Sequence, residues 1–198
     1  MISGAYFERG DQGRFGAVEG QVVAHEAFEA HSDDISASGA QVLNLPFHDD
    51  VAPPFVLANV GNIDELISLA SKRASDATRW LFETAQPCSL PVKDWPDLLA
   101  SDLRRSPIAL SHWAEAHNLS GAAVSRGFQK AFGVTASAYR LEAATRRAWR
   151  ASLSGEDLAQ VAAKAGFADQ AHMTRSVRAL TGQTPGRWRK GQHQFRYF

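Results

Sequence analysis

The spacing of apolar residues changes along the chain, and the change divides it. Toward the N-terminus, short runs at residues 20–24 and 41–45 are β-branched or apolar and bounded by Gly, Asp or Pro, which predicts strands. Gly10, Gly13, Gly16, Gly20 and Gly39 punctuate this region at turn-like intervals. About 60 residues are too few for an ordinary closed barrel, so a small sandwich or shortened β-roll is expected. From Ile63 the spacing becomes helical: Ile63, Leu66, Ile67, Ala70, Ala74, Ala77, Leu81 and Phe82 recur every three or four positions. Asn62 and Glu65 form a capping-box start and Pro87 an end, predicting one helix over 62–85. A linker over 84–92 and a short helix over 97–104 follow.

The remainder of the chain repeats itself at an offset of 49 residues. Gly133, Thr135, Tyr139 and Arg140 fall on Gly182, Thr184, Trp188 and Arg189; Ser120 falls on Asp169, Val124 on Met173, Phe128 on Val177, Ser125 on Thr174 and Arg126 on Arg175. Each copy predicts helix, tight turn, helix. In the first, a helix over 108–117 is followed by one capped by Ser120 and stopped by Gly133. In the second, Ser154 and Asp157 open a helix that ends at Gly166, and Asp169 caps another that ends at Gly182. Residues 137–152 form a connecting helix, and Thr184-Pro185 begins a last short one.

On a helical wheel Val124, Phe128, Ala131 and Phe132 face inward and Ala122, Ser125, Arg126 and Gln129 outward; in the repeat Met173, Val177 and Leu180 face inward and Ala171, Thr174, Arg175 and Arg178 outward. Small outward residues let a helix sit deep in a DNA major groove, where Arg pairs bidentately with guanine. Helix N-termini at Ser120, Thr135, Asp169 and Thr184 present free N–H groups to phosphates, and Arg140, Arg187, Arg189 and Lys190 are placed to hold them. An all-α bundle with solvated faces has the same spacing, but it has no need to repeat its exposed residues.

Charge sharpens this division. Net charge is zero, yet residues 1–60 carry 2 bases and 9 acids, residues 61–106 carry 6 and 7, and residues 107–198 carry 13 and 5. An acidic front and basic back fit a sensing part joined to a polyanion-binding part. The 44% hydrophobic and 21% charged composition is that of a globular protein. No run reaches the roughly 18 apolar residues of a membrane span, no secretory signal is read at the N-terminus, and the single cysteine, Cys88, excludes an internal disulfide framework.

Residues 107–190 resemble the AraC/XylS-type DNA-binding domain of bacterial transcription regulators. The strings that carry the resemblance are Leu119-Ser120, Val124-Ser125-Arg126-Gly127-Phe128 and Phe132-Gly133, then Ala165-Gly166-Phe167-Ala168-Asp169-Gln170, Thr174-Arg175 and Thr181-Gly182-Gln183-Thr184-Pro185. The resemblance implies that Ala122, Ala123, Ser125, Arg126 and Gln129 read bases from the first recognition helix, and Gln170, Ala171, His172, Thr174 and Arg175 from the second. Ser120, Thr135, Arg140, Arg178, Thr184, Arg187, Arg189 and Lys190 are the expected phosphate contacts. The chain departs from the family pattern at Ala144 (usually Arg), Ser152 (usually Leu) and Val177 (usually Phe). Gly20-Gln21-Val22-Val23 followed by His31 resembles the second cupin segment of the family's sensory domain, without a first segment of paired His and Glu.

The expected fold is therefore α+β: a shortened cupin-like β-roll over 1–60 for sensing or dimerisation, a helical connector and linker over 61–92, and an all-α DNA-binding domain over 93–190. Its two helix-turn-helix motifs, at about 108–132 and 155–181, are joined by a long helix. The expected activity is sequence-specific, non-enzymatic transcription regulation in the bacterial cytoplasm, at the nucleoid. Expected partners are double-stranded DNA, a small-molecule effector held by Tyr6, Phe15, Phe28 and His31, a second copy bound through residues 1–85, and RNA polymerase; no membrane and no cofactor are expected. His25, His31 and His48 lack the spacing of a metal site, and Cys88 has no base within four residues to activate it. Trp113, Trp149 and Trp188 are read as core. The alternatives are a metal-dependent cupin enzyme with a helical oligomerisation tail, and a degenerate regulator that dimerises with a full-length relative and blocks it.

Overall fold

The computed structural model describes residues 1–47, 53–91 and 94–191. The chain divides into two units, Met1–Lys93 and Asp94–Phe198.

In the first unit, β1 (Ser3–Gly10), β2 (Gly13–Val18) and β4 (His31–Gln41) form an antiparallel sheet ordered β2-β1-β4. A second sheet, ordered β3-β5-β6, contains β3 (Gln21–Val23), β5 (Leu57–Asn59) and β6 (Gln86–Pro87). The β1–β4 register slips between Gly4 and Tyr6. Gly4, at φ +80°, makes the slip feasible, because a Cβ there would overlap the Gly39 carbonyl. The buried Asp11 accepts from the Ala30 N–H (2.6 Å) and fastens the approach to β4 onto the β1–β2 hairpin.

Two sequence expectations change here. The run at 41–45 is not a strand: β4 ends at Gln41, and Leu43 and Leu45 instead pack on the apolar cluster of this unit. The expected single helix is two, α1 (Ile63–Lys72) and α2 (Ala74–Thr84), because Arg73 is extended at φ −158°. A straight helix would hold Leu66 and Leu81 about 22 Å apart. The break folds α2 back onto α1, so that both leucines join Ala24, Phe55, Ala58 and Ala77 in one core. Both helices thus share a core with the strands.

The second unit is α3 (Trp95–Arg105), α4 (Leu110–Ala116), α5 (Gly121–Phe132), α6 (Ala136–Leu153), α7 (Leu158–Ala165), α8 (Gln170–Thr181) and α9 (Pro185–Arg189). Helix α6 touches α3, α5, α7, α8 and α9 and is the axle of the unit. Leu99, Leu103, Trp113, Val124, Phe128 and Tyr139 belong to the core cluster built on its first half. Along its second half, Trp149, Val161, Met173, Val177 and Trp188 are buried. Small residues at the departures Ala144 and Ser152 are buried too, and Ser152 turns its hydroxyl back to the Trp149 carbonyl (2.6 Å). Among the described residues, no helix is long and apolar enough to cross a membrane.

Candidate functional site

The duplication seen in the sequence is realised in the side-chain caps and glycine stops of α5 and α8. Ser120 caps α5 by accepting from the Ala123 N–H (3.1 Å), and Asp169 caps α8 by accepting from the His172 N–H (2.6 Å). Both helices are 12 residues long, and each ends at a left-handed glycine, Gly133 and Gly182, with the same φ of 76° and ψ of −11°. Thr135 and Thr184 then begin α6 and α9. The turns inside the motifs differ. The first turns left-handed at Asn118 (φ 53°), beside His117, whose ring stacks on Trp113; the second does so at Gly166 (φ 88°). One boundary differs from expectation: α7 is capped by Asp157, which accepts from the N–H groups of Ala159 and Gln160, while Ser154 closes α6.

On α5, Ala122, Ser125, Arg126 and Gln129 are exposed and Ala123 is half-buried. On α8, Gln170, Ala171 and Arg175 are exposed, whereas Thr174 and His172 are half-buried and the His172 ring meets Phe167 edge-on (5.1 Å). Among the residues expected at phosphates, Arg140, Arg178, Arg187 and Lys190 are exposed, and Ser120 and Thr135 serve as caps. Thr184 is half-buried. Arg189 is engaged by the protein itself, donating to the carbonyls of Ser152 and Glu156.

A residue that sequence reasoning passed over ties α3, which packs on α5 of the first motif, to α7 of the second. Arg147 of α6 donates through Nη1 to the carbonyls of Leu103 (2.6 Å) and Arg104 (3.1 Å), and through Nη2 to that of Ala165 (3.3 Å). These carbonyls belong to the last turns of α3 and α7, where helices leave acceptors unsatisfied and carry partial negative charge. Burial, with Arg146 alongside, pushes the Arg147 pKa down. Nearby, Gly166 lies against Pro107: a Cβ at 166 would fall 2.6 Å from the proline Cβ. No side-chain pattern could have revealed Arg147, because its partners are backbone atoms of distant residues.

The first unit contains a cavity of about 580 Å³. Tyr6 and His31 are on its wall with His25 and Asp33; Phe15 is buried and Phe28 sits at φ 63° in the β3–β4 connection, and neither is on the wall. His25 and His31 stack at 4.1 Å. Burial disfavours the charged His25, but the neighbouring carboxyl groups of Glu29, Glu8 and Asp33 outweigh this and raise its pKa. The His31 pKa is lowered by burial and by the His25 charge. Among the described residues, no three His, Cys, Asp or Glu side chains group as metal ligands, and His48 lies outside those residues.

A helix-turn-helix domain family matches residues 113–191. No curated protein sequence matches the chain. Among solved structures, the chain is similar to the C-terminal domain of the two-component response regulator yesN from Fusobacterium nucleatum, at 24% identity over 46% of this chain and 90% of that one, with a TM-score of 0.41. It is also similar to a probable AraC family transcriptional regulator from Rhodopseudomonas palustris, at 18% identity over 50% of this chain and 94% of the other, TM-score 0.42. Unsaturated fatty acid bound ToxT from Vibrio cholerae matches at 10% identity over 94% of this chain and 83% of its own length, TM-score 0.42.

Proposed function

We propose that this chain, a DNA-binding transcription regulator whose residues 113–191 form a helix-turn-helix domain of the AraC/XylS type, reads two successive major-groove segments with α5 and α8. The observation that carries the reading is the repetition of exposed chemistry on identically terminated helices. Ser125 and Arg126 on α5 and Thr174 and Arg175 on α8 occupy equivalent positions, between a side-chain cap and a glycine stop of the same backbone conformation. Packing explains repeated core residues; it does not explain the repeated exposed arginines, Arg126 and Arg175. Helix α6, with 18 residues, is about 27 Å long and braces both motifs, against about 34 Å between successive major grooves on one face of DNA.

In this reading Arg126 and Arg175 contact guanine edges, with Ala122, Ala123, Ser125, Gln129, Gln170, Ala171, His172 and Thr174 completing the two base-reading surfaces. The exposed Arg140, Arg178, Arg187 and Lys190 hold phosphates, and Ser120, Thr135 and Thr184 bring helix N-termini to them. Arg189 acts at phosphates through the turn it braces. The first unit takes a small effector in its cavity and pairs two copies through residues 1–85. The bound protein acts on RNA polymerase in the bacterial cytoplasm, without catalysis.

Selection of binding sites from random duplex DNA, followed by spacing variants, tests this. Enriched sites should carry two determinants about one helical turn, roughly 10 bp, apart. Inserting about 5 bp between them turns one determinant to the opposite face and should lower affinity about tenfold or more. Enrichment of a single determinant that tolerates the insertion would remove the tandem reading.

A further inference from the structure

We propose that the cavity of the first unit takes an amphipathic amine, a small ligand with a cationic head and an apolar body. This rests on the reading of that cavity as an effector site and adds the chemistry of its occupant.

Strand pairing creates the polar end. The β1–β4 register sets Glu8 directly opposite Asp33 and Tyr6 opposite Ile35. Side chains alternate along a strand, so His31, Asp33 and Ile35 project on the face shared with Tyr6 and Glu8. Two carboxyl groups directly opposite on one face repel when both are ionised, and burial above all, with Asp33 and Glu29 nearby, pushes Glu8 up to about 7. A third carboxylate adds to them: His25 lies 3.6 Å from Glu8 through Nε2 and 3.6 Å from Glu29 through Nδ1. Glu8 is 1% exposed, so water screens it poorly. The His25 imidazole therefore lies between Glu8 and Glu29, and Glu29 also accepts from the Gln12 side-chain amide; Asp33 has the stacked His31 4.0 Å away, whose charged form burial and the His25 charge disfavour. Arg9 is paired with Asp34, which by strand alternation projects from the other face. Among the described residues no Lys or Arg is on the cavity wall. The Met1 nitrogen, also there, is committed to the Gln21 carbonyl (2.5 Å), and burial disfavours its charged form.

Most of the remaining wall is apolar, including Val22, Leu43, Leu66, Leu81 and Phe82, with Gln21, Asn44 and Thr78 as polar positions on it. Its volume falls within the roughly 300–1,000 Å³ typical of ligand pockets. An ammonium beside Asp33 would relieve the cross-strand repulsion while its N–H groups donate to Asp33 and to neutral His31. A carboxylate head would be repelled by Asp33 on the wall.

Calorimetric titration of the full chain with n-octylamine, n-octanol, octanoate and ethylamine, each below its aggregation concentration, tests the assignment, with DNA binding followed in parallel. Octylamine should bind about tenfold or more tighter than octanol, with octanoate and ethylamine weakest. Asp33→Asn, an isosteric change at a part-exposed position, should weaken octylamine about fivefold or more and leave octanol unchanged. Octanol or octanoate binding as tightly as octylamine would overturn the cationic class and leave an effector site standing. Ethylamine binding as tightly as octylamine would reduce the effect to surface charge and overturn the proposal. Binding of none of the four would overturn both this assignment and the effector reading, while the DNA-binding reading is judged separately.

Discussion

Replacing Arg147 by alanine tests whether one guanidinium fastens the second helix-turn-helix motif, through α7, to the end of α3. Its three hydrogen bonds reach carbonyls of α3 and α7 at 2.6–3.3 Å. A hydrogen bond involving a charged group contributes roughly 1.5–3 kcal/mol. The three share one cation, and water can reach the freed carbonyls, so the expected loss is about 3 kcal/mol rather than three times the single value. For a unit of about 100 residues that lowers the melting temperature by roughly 12–24 °C. Urea unfolding followed by tryptophan fluorescence suits the measurement, because Trp95, Trp113, Trp149 and Trp188 all lie in the second unit and Trp80 alone in the first. The exposed Arg140→Ala is the control and should stay within about 0.5 kcal/mol. On DNA, Arg147→Ala should weaken a two-determinant site more than a single-determinant one, since it loosens α7 from α3 without touching a reading face. A stability loss for Arg147→Ala no larger than that of Arg140→Ala would refute the bracing role.

Arg126→Ala should cost roughly 1–3 kcal/mol on the specific site and relax discrimination at one base position, measured by competition with point-substituted sites; equal losses on specific and random DNA would exclude base reading. Lys190→Ala should weaken all sequences alike and lower the slope of log affinity against log salt by about 0.9. Gly127→Ala places a methyl into the Trp95 ring and should destabilise the second unit by about 1–3 kcal/mol despite alanine's better helix propensity; a stabilised variant would mean that the ring yields freely. Asp157→Ala should cost about 1 kcal/mol and Ser154→Ala less than about half of that, and the reverse order would restore the cap expected from sequence. In the first unit, burial above all pushes Glu8 up to about 7, and the His25 pKa is also raised. Both groups hold protons more tightly folded than unfolded, so stability should fall as pH rises through about 4.5–7 and on through the His25 pKa, with His31 opposing. Hydrogen exchange of the β1 and β4 amides should therefore be slower at about pH 5 than expected from intrinsic rates at about pH 8, and Glu8→Gln should flatten the dependence; a rise in stability over this range contradicts the sign.

Local rules made much of the second unit legible. Caps at Ser120 and Asp169, glycine stops at 133, 166 and 182, and Pro185 at the head of α9 act within a few residues of themselves, so they can be read one segment at a time. The inward positions Val124, Phe128, Met173 and Val177 followed from helical periodicity for the same reason. Reading failed where a residue's role depends on something distant. Arg73 breaks a periodic run because folding α1 back on α2 buries both apolar stripes in one core, a gain that exists only once the strands are there to be covered. The run at 41–45 is apolar enough for a strand, yet its leucines belong to that core.

The candidate sites divide along the same line. Which side chains face outward on α5 and α8 was decided by the order of residues, because a helix of known start and stop has no further freedom to turn its faces. Pairing and packing across the chain decided the rest. Strand register alone sets Glu8 opposite Asp33, since a slip of one residue would send either carboxylate to the other face. The backbone carbonyls that meet Arg147 come from residues 103, 104 and 165, and a carbonyl is identical in every amino acid, so no sequence pattern could announce that contact.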